Sequence, residues 1–236
     1  MPDFSKRSSS HEIMDDLNIS GTDLDQALRE LEIINYLLGG NYVTINGIDQ
    51  LVHQAETSKH FDIVDLGCGG GDILIGIRKF LNKKKFKAKL TGIDANENVI
   101  NYARAHTLPF YDIEYERLDI FSEEFKSRRF DIVTGTLFFH HFTSDQLVEF
   151  FRQLRSQTSV GLIINDIHRH WFAYYAIKWL TQLWSRSKMV RNDAPQSVLR
   201  AFRKKDLIDI LRQAGISQFK IHWQWAFRWQ VIVGFY

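Results

Sequence analysis

The chain has 236 residues, 44% of them hydrophobic and 25% charged, the size and composition of one well-cored soluble domain with a smaller appendage. The 30 lysines and arginines against 28 acids leave a formal charge of +2, too little to imply nucleic acid by itself. The single cysteine, Cys68, excludes an internal disulfide framework or a multi-cysteine metal knuckle and suits a reducing compartment.

The opening stretch "MPDFSKRSSSHEIMDDLN" has no apolar run of the kind a signal peptide carries. Residues 1 to about 12, polar, serine-rich and without periodicity, are predicted to be frayed. From Thr22 a helical pattern begins, with Leu24, Leu28, Leu31, Ile34 and Leu38 at steps of three and four, and Gly39-Gly40 stops it. A short helix is expected near Ile48–Gln54. Strand-like segments then follow at 61–66, 89–94, about 113–117, 130–136 and 159–165, with helices between them near 72–82, 96–106 and 144–155. The last of these helices opens on a capping box, Thr143 with Gln146. Such alternation demands a mainly parallel sheet with helices on both faces. After the helix "KKDLIDILRQAG", the strands "ISQFKIHW" and "RWQVIVGFY" lie so close in sequence that they must pair antiparallel. The expected architecture is α/β and doubly wound: a mainly parallel seven-stranded sheet ending in an antiparallel hairpin, with residues 1–60 as an N-terminal helical cap on a domain spanning 61–236.

The segment "IVDLGCGGGD" leaves a buried strand through alternating glycines, Gly67, Gly69 and Gly71. A dinucleotide-binding turn calls for G-x-G-x-x-G, but Asp72 stands where the third glycine belongs. Asp65 and Asp72 would repel a diphosphate at this helix start, whereas both suit a ligand with a cationic end.

These residues resemble the D-x-G-x-G-x-G turn of class I S-adenosylmethionine-dependent methyltransferases, and the likeness extends over about Phe61 to Tyr236. That family has a Rossmann-like fold, and its cofactor presents an ammonium and a sulfonium in place of phosphates. By the resemblance Asp65 orients the ammonium and Gly67, Gly69 and Gly71 cradle the methionine part. Asp94, with Ala95 beside it, takes the ribose hydroxyls, and Asp119, with Ile120, takes the adenine. Cys68 reads as a small buried residue offering only its backbone. "NDIHR" followed by "VRNDAP" is similar to a bacterial subset associated with polyketide or quinone tailoring.

Methyl transfer from sulfur is an in-line displacement in which the protein mainly aligns the partners; an oxygen or nitrogen acceptor also calls for a base. "FFHHFTSDQ" resembles the base-bearing segment of plant small-molecule O-methyltransferases, and His141 falls on the base, although Phe142 and Thr143 depart from the motif. His141 is either that base or a brace for the following helix, and His140 is expected to point the other way. Just after the fifth strand, "INDIHRHW" supplies Asp166 and His168 as further catalytic candidates. A metal on His141, Asp166 and His168 is conceivable but not expected, because the fourth strand ends in "GTLFFHH" without the carboxylate of metal-dependent catechol-type enzymes. The basic runs "KFLNKKKFKAK" and "RAFRKK" read as solvated faces, with the first at the sheet end away from the ligand.

Between the fifth strand and the last helix, about 167–202, lies a lid insertion. In it Phe172, Tyr175, Trp179 and Leu183 recur at helical spacing. Three roles fit: a wall of an apolar substrate pocket, core packing between lid and cap, or an amphipathic element making transient membrane-surface contact beside Arg186, Lys188 and Arg191. The stretch is too short to span a bilayer. The function expected is methyl transfer to a hydroxyl of an apolar aromatic, quinol or polyketide-like small molecule, by a cytoplasmic enzyme without nucleic-acid partners. Carbon or nitrogen methylation, RNA or protein methylation, and a non-catalytic cofactor-binding subunit are the alternatives.

Overall fold

The central strand segments are apolar at successive positions, so they must be buried on both faces, as the interior of a parallel sheet requires. The computed structural model describes residues 2–55 and 60–235 and places seven strands in one sheet. They are β1 His60–Leu66, β2 Lys87–Asp94, β3 Ile113–Arg117, β4 Phe130–Thr136, β5 Thr158–Ile167, β6 Phe219–Gln224 and β7 Arg228–Gly234. Their order is β3-β2-β1-β4-β5-β7-β6; all pairs are parallel except β5–β7 and β6–β7. Val64, Leu66, Val133, Leu162, Ile164, Val231 and Val233 point to one face, and Ile63, Ile132, Ile163 and Ile232, out of phase by one, to the other.

Helices cover both faces. The first face carries α5 Glu123–Ser127, α6 Ser144–Gln157 and α9 Lys204–Gln213; the second carries α2 Gly40–Gln54, α3 Asp72–Lys84 and α4 Glu97–His106. The capping box on α6 forms as expected, with Thr143 and Gln146 exchanging bonds. The remaining helices, α1 Thr22–Leu37, α7 Trp171–Trp184 and α8 Lys188–Arg200, build a layer beyond the sheet. There Ala27 and Ile34 pack on Met189 and Val190. The start of β2 follows the basic run at the end of α3, opposite the glycine turn.

Four expectations are corrected. The second helix begins at Gly40, not near Ile48, because its glycines serve close approach. A Cβ on Gly47 would stand 3.0 Å from Ile163 Cγ2, so the poor helix propensity of glycine is offset by packing against β5. β5 runs to Ile167, which puts Asp166 inside the strand rather than after it. Residues 2–12 are not frayed: Ser8 N donates to Leu199 O (2.9 Å), Phe4 packs edge-on to Tyr174 and Glu12 is buried. Finally, Phe172, Tyr175, Trp179 and Leu183 are exposed, so they neither pack between lid and cap nor wall an enclosed pocket. The expected cap boundary near residue 60 adjoins residues 56–59, which lie outside the described residues.

Candidate active site

At the C-terminal end of β1 the chain turns through Gly67, Gly69 and Gly71 at φ +62°, +51° and +81°, a region open to glycine. Cys68 N–H donates to Ile93 O (3.1 Å) and Gly71 N–H to Cys68 O (3.0 Å), which fixes the turn against β2. A Cβ on Gly67 would collide with the Phe138 ring at 2.2 Å, whereas one on Gly69 would find its nearest atom, Leu28 Cδ2, at 4.0 Å. The turn therefore lies under α1, with the segment after β4 against one side and backbone open to a ligand at Gly69.

Three carboxylates ring this turn. Asp65 is fully buried, and burial pushes its carboxyl up to about 7; the Thr134 hydroxyl, donating at 2.6 Å, opposes this, and the charges acting on it, Asp72 and Asp94, are both negative. Burial likewise raises Asp94, against the amides of Asn96, Gly69 and Ala95, and Asp72, against Asn35 and Asn41. A buried carboxyl such as Asp65, on which only negative charges act, fits a positively charged ligand. Ala95 sits beside Asp94 and accepts a bond from Arg117 Nε (3.3 Å) at its carbonyl. Asp119 is exposed after β3, where Oδ1 accepts the Phe121 amide (2.9 Å), and Ile120 is buried next to it. Cys68 is buried and burial drives its thiol well up, as befits an inert packing residue.

A single 3₁₀ turn after β4, Phe139–His141, carries the two histidines with ring centroids 4.3 Å apart. His140 is buried: its Nδ1 lies 2.7 Å from Asp166 Oδ1 and its amide donates to Asp166 Oδ2 (3.1 Å). His141 keeps 25% of its side chain exposed, and its Nδ1 lies 2.7 Å from Asp15 Oδ1. Asp166 thus serves His140, and the carboxylate for His141, Asp15, comes from just beyond the segment expected to be frayed. Burial would raise Asp15, but bonds from His141, the Glu12 amide and Arg200 outweigh it and hold the carboxyl below its usual range. Arg200 donates to Asp15 Oδ2 and to His141 O, both at 2.6 Å, and Arg7 donates to His140 O (3.0 Å) and Phe142 O (2.7 Å). His168 joins neither pair. Its ring packs 4.8 Å from that of Trp229, and burial, with His170 and Arg169, lowers its pKa to about 4.

Glu12, His140 and His141 offer ligand atoms within 4.8 Å of one another, spacing that a metal ion could use. The Arg200 guanidinium already stands 3.5 Å from Glu12 Oε1 and would repel a dication there.

Below the site a buried polar plug joins the sheet to the first two helices. Arg228 on β7 donates to Asn35 Oδ1 (2.9 Å) on α1 and to Asn165 Oδ1 (3.3 Å) on β5; Asn165 Nδ2 in turn donates to Gly40 O (2.8 Å) and Thr44 Oγ1 (2.9 Å). Asp15, Arg200 and Arg228 were not found from the sequence, because isolated charged residues carry no periodicity or motif. A surface hollow of about 510 Å³ lined by Arg104, Leu108, Tyr111 and Glu114 lies at the β3 edge and contains none of these groups.

Residues 63–161 match the methyltransferase-domain family. Over 106 residues the chain is 26% identical to a phosphoethanolamine N-methyltransferase of Plasmodium falciparum, an overlap covering 44% of this chain and 38% of that protein. The chain spans little more than a third of the length of the curated relatives it matches, 38% and 35%. Among solved structures it is similar to the plantazolicin methyltransferase BpumL in complex with SAH (TM-score 0.59, 16% identity, 90% of this chain and 99% of that one). It is also similar to the CurJ carbon methyltransferase (TM-score 0.60, 15% identity, 82% and 53%). At these identities the structural likeness is one of fold. The central part of the chain thus matches a methyltransferase domain, on a fold shared with methyltransferases solved in complex with SAH.

Proposed function

We infer that the protein transfers a methyl group from S-adenosylmethionine to a hydroxyl of an apolar small molecule, aromatic or polyketide-like, with His141 as general base. One observation carries this: His141 is fixed through Nδ1 by Asp15, on the turn that follows the Phe138 ring packed against Gly67. With Nδ1–H donated to a carboxylate, Nε2 is left as the basic nitrogen. Asp65 would hold the cofactor's ammonium, Gly67, Gly69 and Gly71 its methionine backbone, Asp94 and Ala95 the ribose, and Asp119 with Ile120 the adenine. When bound, the cofactor supplies a methyl carbon activated by its sulfonium. His141 Nε2 would take the acceptor's hydroxyl proton as the methyl group passes from sulfur to oxygen, with S-adenosylhomocysteine as the leaving group. Asp15 stabilises the resulting imidazolium, and Asp166 holds His140 against it. His168, kept neutral by burial, contributes apolar surface or a hydrogen bond toward the acceptor. No metal is assigned a role.

The test is turnover by the full chain against a panel of phenols, quinols and RNA, with S-adenosylhomocysteine as the product measured. His141→Gln is expected to lower kcat by about 10²- to 10⁴-fold on a hydroxyl substrate. Unchanged turnover rejects the base role, and tighter binding of NAD than of S-adenosylmethionine rejects the cofactor assignment.

A further inference from the structure

Five of the six tryptophans are exposed, and they lie on two neighbouring elements: Trp171, Trp179 and Trp184 on α7, Trp223 and Trp225 on the β6–β7 hairpin. Burying so much aromatic surface is the usual fate of tryptophan, so an exposed set this large marks a binding surface. Trp179 and Trp225 are each 66% exposed and Leu183 83%. α7 uses only a narrow seam for packing, with Ala173 and Thr181 buried and Ile177 against the α1–α8 cluster; its other faces are turned outward. The hairpin tip joins this face, since the Phe227 ring lies 5.7 Å from that of Phe172. α1 joins it on the other side, where Ala226 N–H donates to Leu38 O (3.3 Å) beside exposed Tyr36 and Leu37. Three segments distant in sequence thus make one continuous apolar face. The pairing of Ile167 with Arg228 sets the tip beyond the C-terminal end of β5, the sheet end that carries the glycine turn.

The charge on this face has one sign. Residues 171–192 contain no Asp or Glu, while Lys178, Arg186 and Lys188 are exposed among the aromatics. Tryptophan and tyrosine partition to the boundary between headgroups and acyl chains, and cations beside them meet anionic headgroups. A second copy of the chain would bring like charges together across the same face. We propose that α7, with the hairpin tip and the end of α1, docks the protein on the surface of an anionic phospholipid bilayer, with the site mouth facing the membrane. The docking does not depend on which acceptor is methylated.

The experiment is flotation of the full chain with phosphatidylcholine vesicles, with and without phosphatidylglycerol, in the absence of any acceptor. Binding to the anionic vesicles is expected to be about tenfold or more tighter than to the zwitterionic ones. Trp179→Asp with Leu183→Asp removes binding to both while leaving S-adenosylhomocysteine affinity and melting temperature unchanged, because both side chains are exposed. Lys178→Glu with Lys188→Glu abolishes the preference for anionic lipid. Absence of vesicle binding by the unaltered chain overturns the proposal, as does binding that none of these variants affects. Light scattering adds a third outcome against it: a dimer that Trp179→Asp with Leu183→Asp breaks, and that does not float with vesicles, assigns the face to a second copy. Loss of methyl transfer on phenols with vesicle binding intact tells against the function proposed above and not against the docking.

Discussion

Asp65 is a carboxylate without a cation, and that sets a pH dependence. Burial first, then Asp72 and Asp94, raise its pKa from the ordinary 3.8 to about 7 against the Thr134 bond. A folded-state pKa above the unfolded one means that the protonated form stabilises the fold at low pH. That contribution is lost as pH rises toward about 7. A ligand ammonium reverses the preference, since it binds the ionised form. S-adenosylhomocysteine affinity is therefore expected to fall by about tenfold per pH unit below that pKa and to level above it, as isothermal calorimetry from pH 5.5 to 8 would read. Asp65→Asn should weaken binding at neutral pH and flatten the profile. Asp15→Asn addresses the other end of the site. It leaves the His141 ring in place but removes the charge that stabilises its imidazolium, so kcat should drop by about tenfold or more with KM for the cofactor unchanged.

Among the elements, the N-terminal segment does the most with the least apolar surface. Arg7 donates to Arg200 O (2.8 Å), His140 O and Phe142 O, lies 4.4 Å from the Phe202 ring centroid, and is drawn down by burial to about 10. Arg7→Ala leaves those carbonyls without their donor and should cost about 1–3 kcal/mol in denaturant unfolding. Turnover should fall as well, because the segment that carries Asp15 loses its anchor. Polar, serine-rich composition reads as disorder because it predicts little apolar burial. Here the segment is held by buried hydrogen bonds that only tertiary structure reveals. The aromatic stripe of α7 shows the opposite failure. Its spacing is legible, but periodicity does not say whether an apolar face meets protein, substrate or lipid.

Across the whole molecule, the legible part was what repeats. Each strand was read from its apolar residues, and β3 and β4 fall on the expected residues, β4 as a run buried on both faces and β3 as an edge strand with one face buried. The glycine turn was legible because left-handed φ at three alternate positions requires glycine. The plug beneath the site was not, since Asn35, Asn165 and Arg228 meet only when α1, β5 and β7 have packed. Arg228 is the residue on which that packing depends. Arg228→Ala leaves Asn35 and Asn165 without their donor and takes a buried positive charge away from Asp72 and Asp166. It should lower unfolding stability by about 3 kcal/mol or more, measured by urea titration.

The bonds of the N-terminal segment also tie the two ends of the chain together. Asp15 and Arg200 are 185 positions apart, and Arg7 and Arg200 are 193. A nascent chain releases the partner of His141 long before the guanidinium that steadies it exists. Closing so large a loop carries an entropy cost that grows only slowly with its length. Until those bonds close, the His141 ring has no partner to fix its tautomer. The base role proposed for His141 therefore calls on both ends of the chain and not on the sheet alone.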